Sequence, residues 1–162
     1  MGTVCATRGF PEPEDLAAAS EEEVYGYIKS VTFPNNKAKS LVKAARVLVE
    51  EFGGEMPSDI DSLMKLPGVG RKTANVMLSV IWNKAAMAVD THVFRVSNRI
   101  GLTDRSPNPL ATEKTLVRYI PEDLVAKAHH WLILHGRYVC KARRPDCHEC
   151  AVREYCKAYS KK

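Results

Sequence analysis

Apolar residues recur at helical spacing through most of the 162-residue chain. The clearest stripe is Ala38, Leu41, Val42, Ala45, Leu48, Val49 and Phe52, which predicts one long helix stopped by Gly53-Gly54. Upstream, residues 13–19 (PEDLAAA) read as a short helix with proline and acids in its first turn. Ser20 with Glu23 forms a capping box for a helix running to about residue 30. Ile60, Leu63 and Met64 predict a short amphipathic helix, with Ser58 and Asp61 as its capping pair. Ala74, Met77, Leu78 and Ile81 mark the apolar face of the next. A further helix opens near Asp90 and carries Val93, Val96 and Ile100, and two more, over residues 110–120 and 122–135, are separated by Pro121. Strand-like alternation is lacking, so the pattern predicts an all-α chain. Residues 1–11 have no clear period and hold Cys5, read as an ordinary free thiol.

Residues 66–75, LPGVGRKTAN, join two of these helices. Pro67-Gly68 is a turn dipeptide, and Gly68 and Gly70 let the backbone approach a partner with no Cβ in the way. The unit is therefore a helix, a glycine hairpin and a helix. The N–H groups that open the second helix suit an anion such as a phosphate. Lys72 lies in that first turn, beside Arg71. A cation there is disfavoured by the helix dipole and by its neighbour, which favours a neutral, nucleophilic amine. The alternative is that Arg71 and Lys72 only neutralise phosphates.

The formal net charge is +5. Residues 1–30 hold two basic and six acidic groups, a balance of −4, so the remainder carries +9. A basic body suits a polyanionic partner. No apolar run is long enough for a membrane span, and the N-terminus lacks a signal-peptide pattern, so a cytoplasmic location is expected. Four of the five cysteines, Cys140, Cys147, Cys150 and Cys156, give the spacing C-x6-C-x2-C-x5-C. In a reducing compartment such a cluster indicates metal, and four thiolates hold either zinc or a [4Fe–4S] cluster. His129, His130 and His135 sit among Trp131, Leu132 and Leu134, where buried, hydrogen-bonded histidines are expected rather than a second metal site.

LPGVGRKTAN, the VDTH of residues 89–92, the HHWLILHGRY of residues 129–138 and the cysteine spacing together resemble the helix-hairpin-helix DNA glycosylases, and within them the endonuclease III family. The resemblance runs from about Phe10 onward. It implies a helical DNA glycosylase fold with a C-terminal iron–sulfur loop, divided as residues 1–105 (a helical domain lacking the family's first helices) and 106–162 (C-terminal helices and cluster loop). It implies a bifunctional glycosylase and abasic-site lyase that excises oxidised pyrimidines in base excision repair. Lys72 matches the family's nucleophile and Asp90 its catalytic carboxylate; Asp90 read alone is a helix cap. The four cysteines match the ligands of a [4Fe–4S] cluster. The implied partner is double-stranded DNA with damaged bases or abasic sites, bound by a monomer, on the nucleoid in a bacterium.

Contacts to that DNA are expected from Leu66, Gly68, Val69, Gly70 and Arg71 of the hairpin, and from Lys141, Arg143 and Arg144 of the cysteine loop, whose alternative is a solvated basic loop. Phe33 stands where the family carries a wedge that enters the base stack. The other reading of Phe33 is a loop side chain folded onto the core. Two functional readings rival the enzyme: a non-catalytic DNA-binding module with a structural metal, and an inactive fragment with an exposed apolar face.

Overall fold

The computed structural model describes residues 9–160, so Cys5 lies outside the described residues. Among the described residues every regular element is helical. Among the described residues no helix is long and apolar enough to cross a membrane. The chain forms two compact units, Met1–Gly70 and Arg71–Lys162. The division falls inside the glycine hairpin, upstream of residue 105.

The first unit holds α1 (Pro13–Ala18), α2 (Glu21–Ile28), α3 (Pro34–Phe52) and α4 (Ile60–Lys65). The capping box of α2 is formed: Ser20 Oγ accepts from the Glu23 N–H at 3.2 Å, and Glu23 Oε2 accepts from the Ser20 N–H at 2.8 Å. α3 buries Ala38, Val42, Ala45 and Leu48, the centre of its stripe, while Leu41 at the stripe's edge stays exposed. Ala38 and Val42 pack with Ala19, Val24 and Ile28 into this unit's core. Gly53 and Gly54 end α3 at positive φ, and the Gly54 N–H donates to the Leu48 carbonyl. α4 is capped by Asp59, whose carboxylate accepts from the Ser62 N–H at 2.8 Å, one residue downstream of the expected Ser58. Both are good caps, and the one three residues before a free N–H at the right height takes the role.

The second unit holds α5 (Arg71–Trp82), α6 (Thr91–Ile100), α7 (Pro109–Tyr119) and α8 (Val125–Tyr138), the last preceded by a 3₁₀ turn at Glu122–Leu124. Two more 3₁₀ turns, Cys147–Glu149 and Arg153–Tyr155, shape the cysteine loop. Met87, Val89, Val93, Val96, Leu116, Val125, Ala128 and Leu132 form the core.

Two features depart from the pattern reading. Ala86, Met87, Ala88 and Val89 are consecutive, buried and non-helical. A short run buried on all sides has no period to betray it. In α5 the buried face is Ala74, Asn75, Leu78 and Ser79, whereas Ile81 is exposed. Ile81 lies roughly a quarter-turn from the centre of that face at 100° per residue. The helix is rotated towards polar Asn75 because that side chain has a buried partner, described below. Val80 and Ile81 on α5, and Trp131 and Leu134 on α8, therefore leave apolar surface in water.

α6 and α8 approach closely at Gly136, which is buried. A Cβ there would lie 2.9 Å from His92 Cβ and 3.0 Å from Val96 Cγ2. Gly136→Ala is accordingly expected to destabilise the protein by about 1–3 kcal/mol through overpacking, measured by denaturant unfolding. A change within about 0.5 kcal/mol, the usual size for uninvolved surface sites, would show that the two helices separate freely.

Candidate functional site

The hairpin closes through the Val69 N–H donating to the Leu66 carbonyl at 3.0 Å. Leu66 is buried, and Gly68 has φ +84°, a backbone conformation that glycine adopts without strain. A Cβ on Gly68 would also meet Ser40 Cβ at 2.7 Å, so the tight turn and the approach of α3 both exclude a side chain. Gly70 is exposed and Val69 half-buried.

α5 begins at Arg71. Its guanidinium makes a fork with Glu113 of α7: Nη2 to Oε1 at 2.7 Å, and Nε to Oε2 at 3.0 Å. Glu113 largely cancels the charge of Arg71 and anchors the start of α5. Lys72, the next residue, is exposed, and its amine has no hydrogen bond or ion pair among the described residues. One turn on, Asn75 is buried and its Nδ2 donates to the Met87 carbonyl at 3.2 Å. That bond ties α5 to the buried extended run, which ends at Asp90.

Asp90 is the N-cap of α6. Its Oδ1 accepts from the N–H groups of His92 at 2.9 Å and Val93 at 2.8 Å. Oδ2 has no partner among the described residues, and the side chain is half-buried. One oxygen thus holds the helix while the other is available. His129, buried on α8, lies within electrostatic range of both residues: Asp90 favours its charged form and Lys72 opposes it. Burial dominates and holds the imidazole below its ordinary value, in the neutral form. Its Nδ1 is buried with no partner. His130 is exposed, its Nδ1 3.0 Å from the Ala126 carbonyl oxygen. Of the three histidines, His129 is buried and hydrogen-bonded at the Ala88 backbone, His135 is half-buried with Nε2 3.7 Å from Cys150 Sγ, and only His130 faces water.

The cysteine loop is held by α6. Arg95 donates to the carbonyls of Cys140 (Nε, 3.1 Å) and Gly136 (Nη2, 2.7 Å). One turn later, Arg99 donates to the carbonyls of Lys141 (2.7 Å) and Ala142 (2.9 Å). Cys140, Cys147, Cys150 and Cys156 line one cavity, closed by Ile100, Val139 and Tyr159. Among the described residues no three Cys, His, Asp or Glu side chains converge as ligands of a single ion. Tetrahedral zinc needs sulfurs about 2.3 Å from one point. Four thiols spread around a cavity fit a larger, all-thiolate iron–sulfur group.

Of the loop's cations, Lys141 pairs with Asp146 at 2.7 Å, Arg143 is exposed, and Arg144 is exposed at positive φ. In the first unit, Phe33 is 73 % exposed at the N-cap of α3, with φ +56°. It is not folded onto the core. A non-glycine residue in the left-handed region carries strain, here at a protruding aromatic set before Pro34. The parts that Glu113, Asn75 and His129 play in this arrangement are not legible in the sequence, because each acts through a partner far along the chain.

A family model described as HhH-GPD superfamily base excision DNA repair protein matches residues 1–122, and one described as the iron–sulfur binding domain of endonuclease III matches residues 140–156. The endonuclease III of Rickettsia conorii is 47 % identical over 150 residues, covering 93 % of this chain and 71 % of that protein. That of Bacillus subtilis is 46 % identical, covering 94 % and 70 %. A solved structure of a trapped endonuclease III–DNA covalent intermediate superposes with a TM-score of 0.89 at 42 % identity, covering 99 % of this chain and 75 % of that one.

A neutral buried His129 has a stability consequence. Its folded value is depressed from about 6.5, so its contribution is present above that pH and is lost as the pH falls towards the folded value. Unfolding free energy is expected to fall as the pH drops below about 6.5, where the unfolded imidazole takes up a proton that the folded one resists. His129→Gln should flatten that drop in denaturant titrations; an unchanged slope would assign it to other groups.

Proposed function

The chain belongs to the endonuclease III family of helix-hairpin-helix base excision repair proteins, and we propose from this that Lys72 and Asp90 carry out glycosylase and abasic-site lyase chemistry on DNA. The observation that carries the reading is the pairing of an exposed, uncommitted Lys72 amine with a half-buried Asp90 that keeps one oxygen free, on elements tied together by Asn75.

A damaged base leaves the helix at a cost of a few kcal/mol, which damage itself lowers. As the N-glycosidic bond stretches, positive charge grows on the sugar and Asp90 Oδ2 stabilises it. The Lys72 amine attacks C1′ as the base departs, the new ammonium loses a proton, and the C1′–O4′ bond then breaks, O4′ taking up a proton, to leave a ring-opened Schiff base. Removal of a 2′ proton then expels the 3′ phosphate by β-elimination. Glu113 acts on the site by position: its fork with Arg71 fixes the first turn of the helix that carries Lys72, and it offsets the neighbouring charge that the sequence alone would set against the amine. Excision of oxidised pyrimidines, and work as a monomer in the cytoplasm, belong to the same reading.

The protein carries a [4Fe–4S] cluster, for which Cys140, Cys147, Cys150 and Cys156 are the ligands on this reading. Its part is to fix the loop that bears Lys141, Arg143 and Arg144 for phosphate contact. Gly68 and Gly70 offer backbone N–H groups to phosphate, Val69 closes the turn onto the Leu66 carbonyl beneath them, and Arg71 anchors the helix start. Phe33 is the wedge that fills a vacated base stack.

Borohydride trapping tests the chemistry. Unmutated protein mixed with abasic-site DNA should yield a covalent adduct, and Lys72→Gln should abolish it while costing no more than about one phosphate contact of affinity. Asp90→Asn keeps a good helix cap but should slow glycosylase turnover by about 10²–10³-fold. Lack of any adduct with folded, DNA-binding protein would favour a non-catalytic binding module. An adduct from Lys72→Gln would move the nucleophile elsewhere.

Affinity for duplex DNA should fall steeply with salt. The double variant Lys141→Ala, Arg144→Ala should reduce the logarithmic slope by about 1 for each phosphate contact removed. An unchanged slope in a fluorescence titration would take the cysteine loop out of the interface.

A further inference from the structure

The four cysteine sulfurs have unlike surroundings. Arg99 Nη1 lies 3.6 Å from Cys140 Sγ, and His135 Nε2 lies 3.7 Å from Cys150 Sγ. Both are within reach of an N–H···S hydrogen bond. Cys156 Sγ faces the Arg99 carbonyl oxygen at 3.5 Å, an acceptor that gives nothing to a thiolate. No side-chain N–H reaches Cys147 among the described residues.

Both donors are held in place by other bonds. The Arg99 guanidinium is fixed by the carbonyls of Lys141 and Ala142. His135 lies in the last turn of α8, and its carbonyl accepts from the N–H groups of Val139 and Cys140 at 3.0 and 2.7 Å. His135 also lines the cysteine cavity. A metal-bound thiolate only accepts, so Nε2 must carry the proton. The bond therefore exists without a charge on the ring.

We propose that Arg99 and His135 set the reduction potential of the iron–sulfur cluster by donating N–H···S hydrogen bonds to the Cys140 and Cys150 sulfurs. The proposal rests on the four-cysteine cluster reading. Adding one electron to the cluster, with no bond made and no proton taken up, increases the negative charge on its sulfurs. Donors aimed at two of them stabilise the reduced form and raise the potential. The remaining two sulfurs lack this help, so the cluster is electronically lopsided, with Cys140 and Cys150 on its electron-rich side.

The test uses anaerobically purified, DNA-free holoprotein. Iron and sulfide analysis comes first: about four irons per chain are expected for one cubane, and stoichiometric zinc or no iron would overturn the cluster reading itself. Separate samples labelled with [15N]histidine and [15N]arginine are then brought to a paramagnetic cluster state and examined by pulsed electron paramagnetic resonance. A 15N coupling is expected in each. Its lack in a loaded sample overturns that donor, and this readout needs no mutation. By protein-film voltammetry, His135→Phe should make the couple about tenfold harder to reduce, or about 59 mV for one electron, while His135→Gln, which keeps a donor at the place of Nε2, should return most of the shift. A loaded His135→Phe protein with an unchanged potential would overturn the assignment of His135.

Discussion

The hydrogen bond from Asn75 to the Met87 carbonyl is the contact on which the placement of Lys72 relative to Asp90 depends. It is buried on both sides and links the helix that carries Lys72 to the run that delivers Asp90. A buried amide left without a partner costs about 1–3 kcal/mol, so α5 cannot rotate to hide Ile81 without losing more than it gains at one exposed side chain. The helix therefore turns a polar residue inwards and leaves Val80 and Ile81 outside.

α6 works as a beam between two kinds of site. Asp90 caps its first turn, Arg95 and Arg99 follow one turn apart, and both grip the start of the cysteine loop. Its inner face, Val93 and Val96, is wholly buried, and Gly136 lets α8 lie directly against it. The close packing holds α6 firmly, and with it the Asp90 carboxylate that caps its first turn. The same arginines satisfy loop carbonyls that have no helical partners.

Charge is used sparingly. Arg71 carries the formal charge expected of a phosphate ligand, yet its fork with Glu113 spends most of it inside the protein. Lys141 is likewise paired with Asp146, although at an exposed site where such a pair is worth little and yields readily to a phosphate. Phe33 shows the reverse economy: a strained backbone and an exposed ring are kept where a packed side chain would have been more stable.

The sequence by itself determined the all-α character, the eight helices α1–α8 near their true positions, the glycine hairpin, and the candidate residues Lys72, Asp90 and the four cysteines. These are legible because helical period, caps and ligand spacing are local, and because the motif residues lie in short runs that resemble a known family. The tertiary structure alone decided the rest. It chose Asp59 over Ser58 as a cap, turned Phe33 outwards, rotated α5 about Asn75, and paired Arg71 with Glu113, 42 positions away. It also buried residues 86–89 without any periodic signal and brought Arg99 and His135 to two of the four sulfurs. The rotation of α5, the Arg71–Glu113 fork and the two sulfur contacts turn on partners distant in the chain, and hydrogen-bond satisfaction in a buried place depends on which distant group arrives there, which no local pattern encodes.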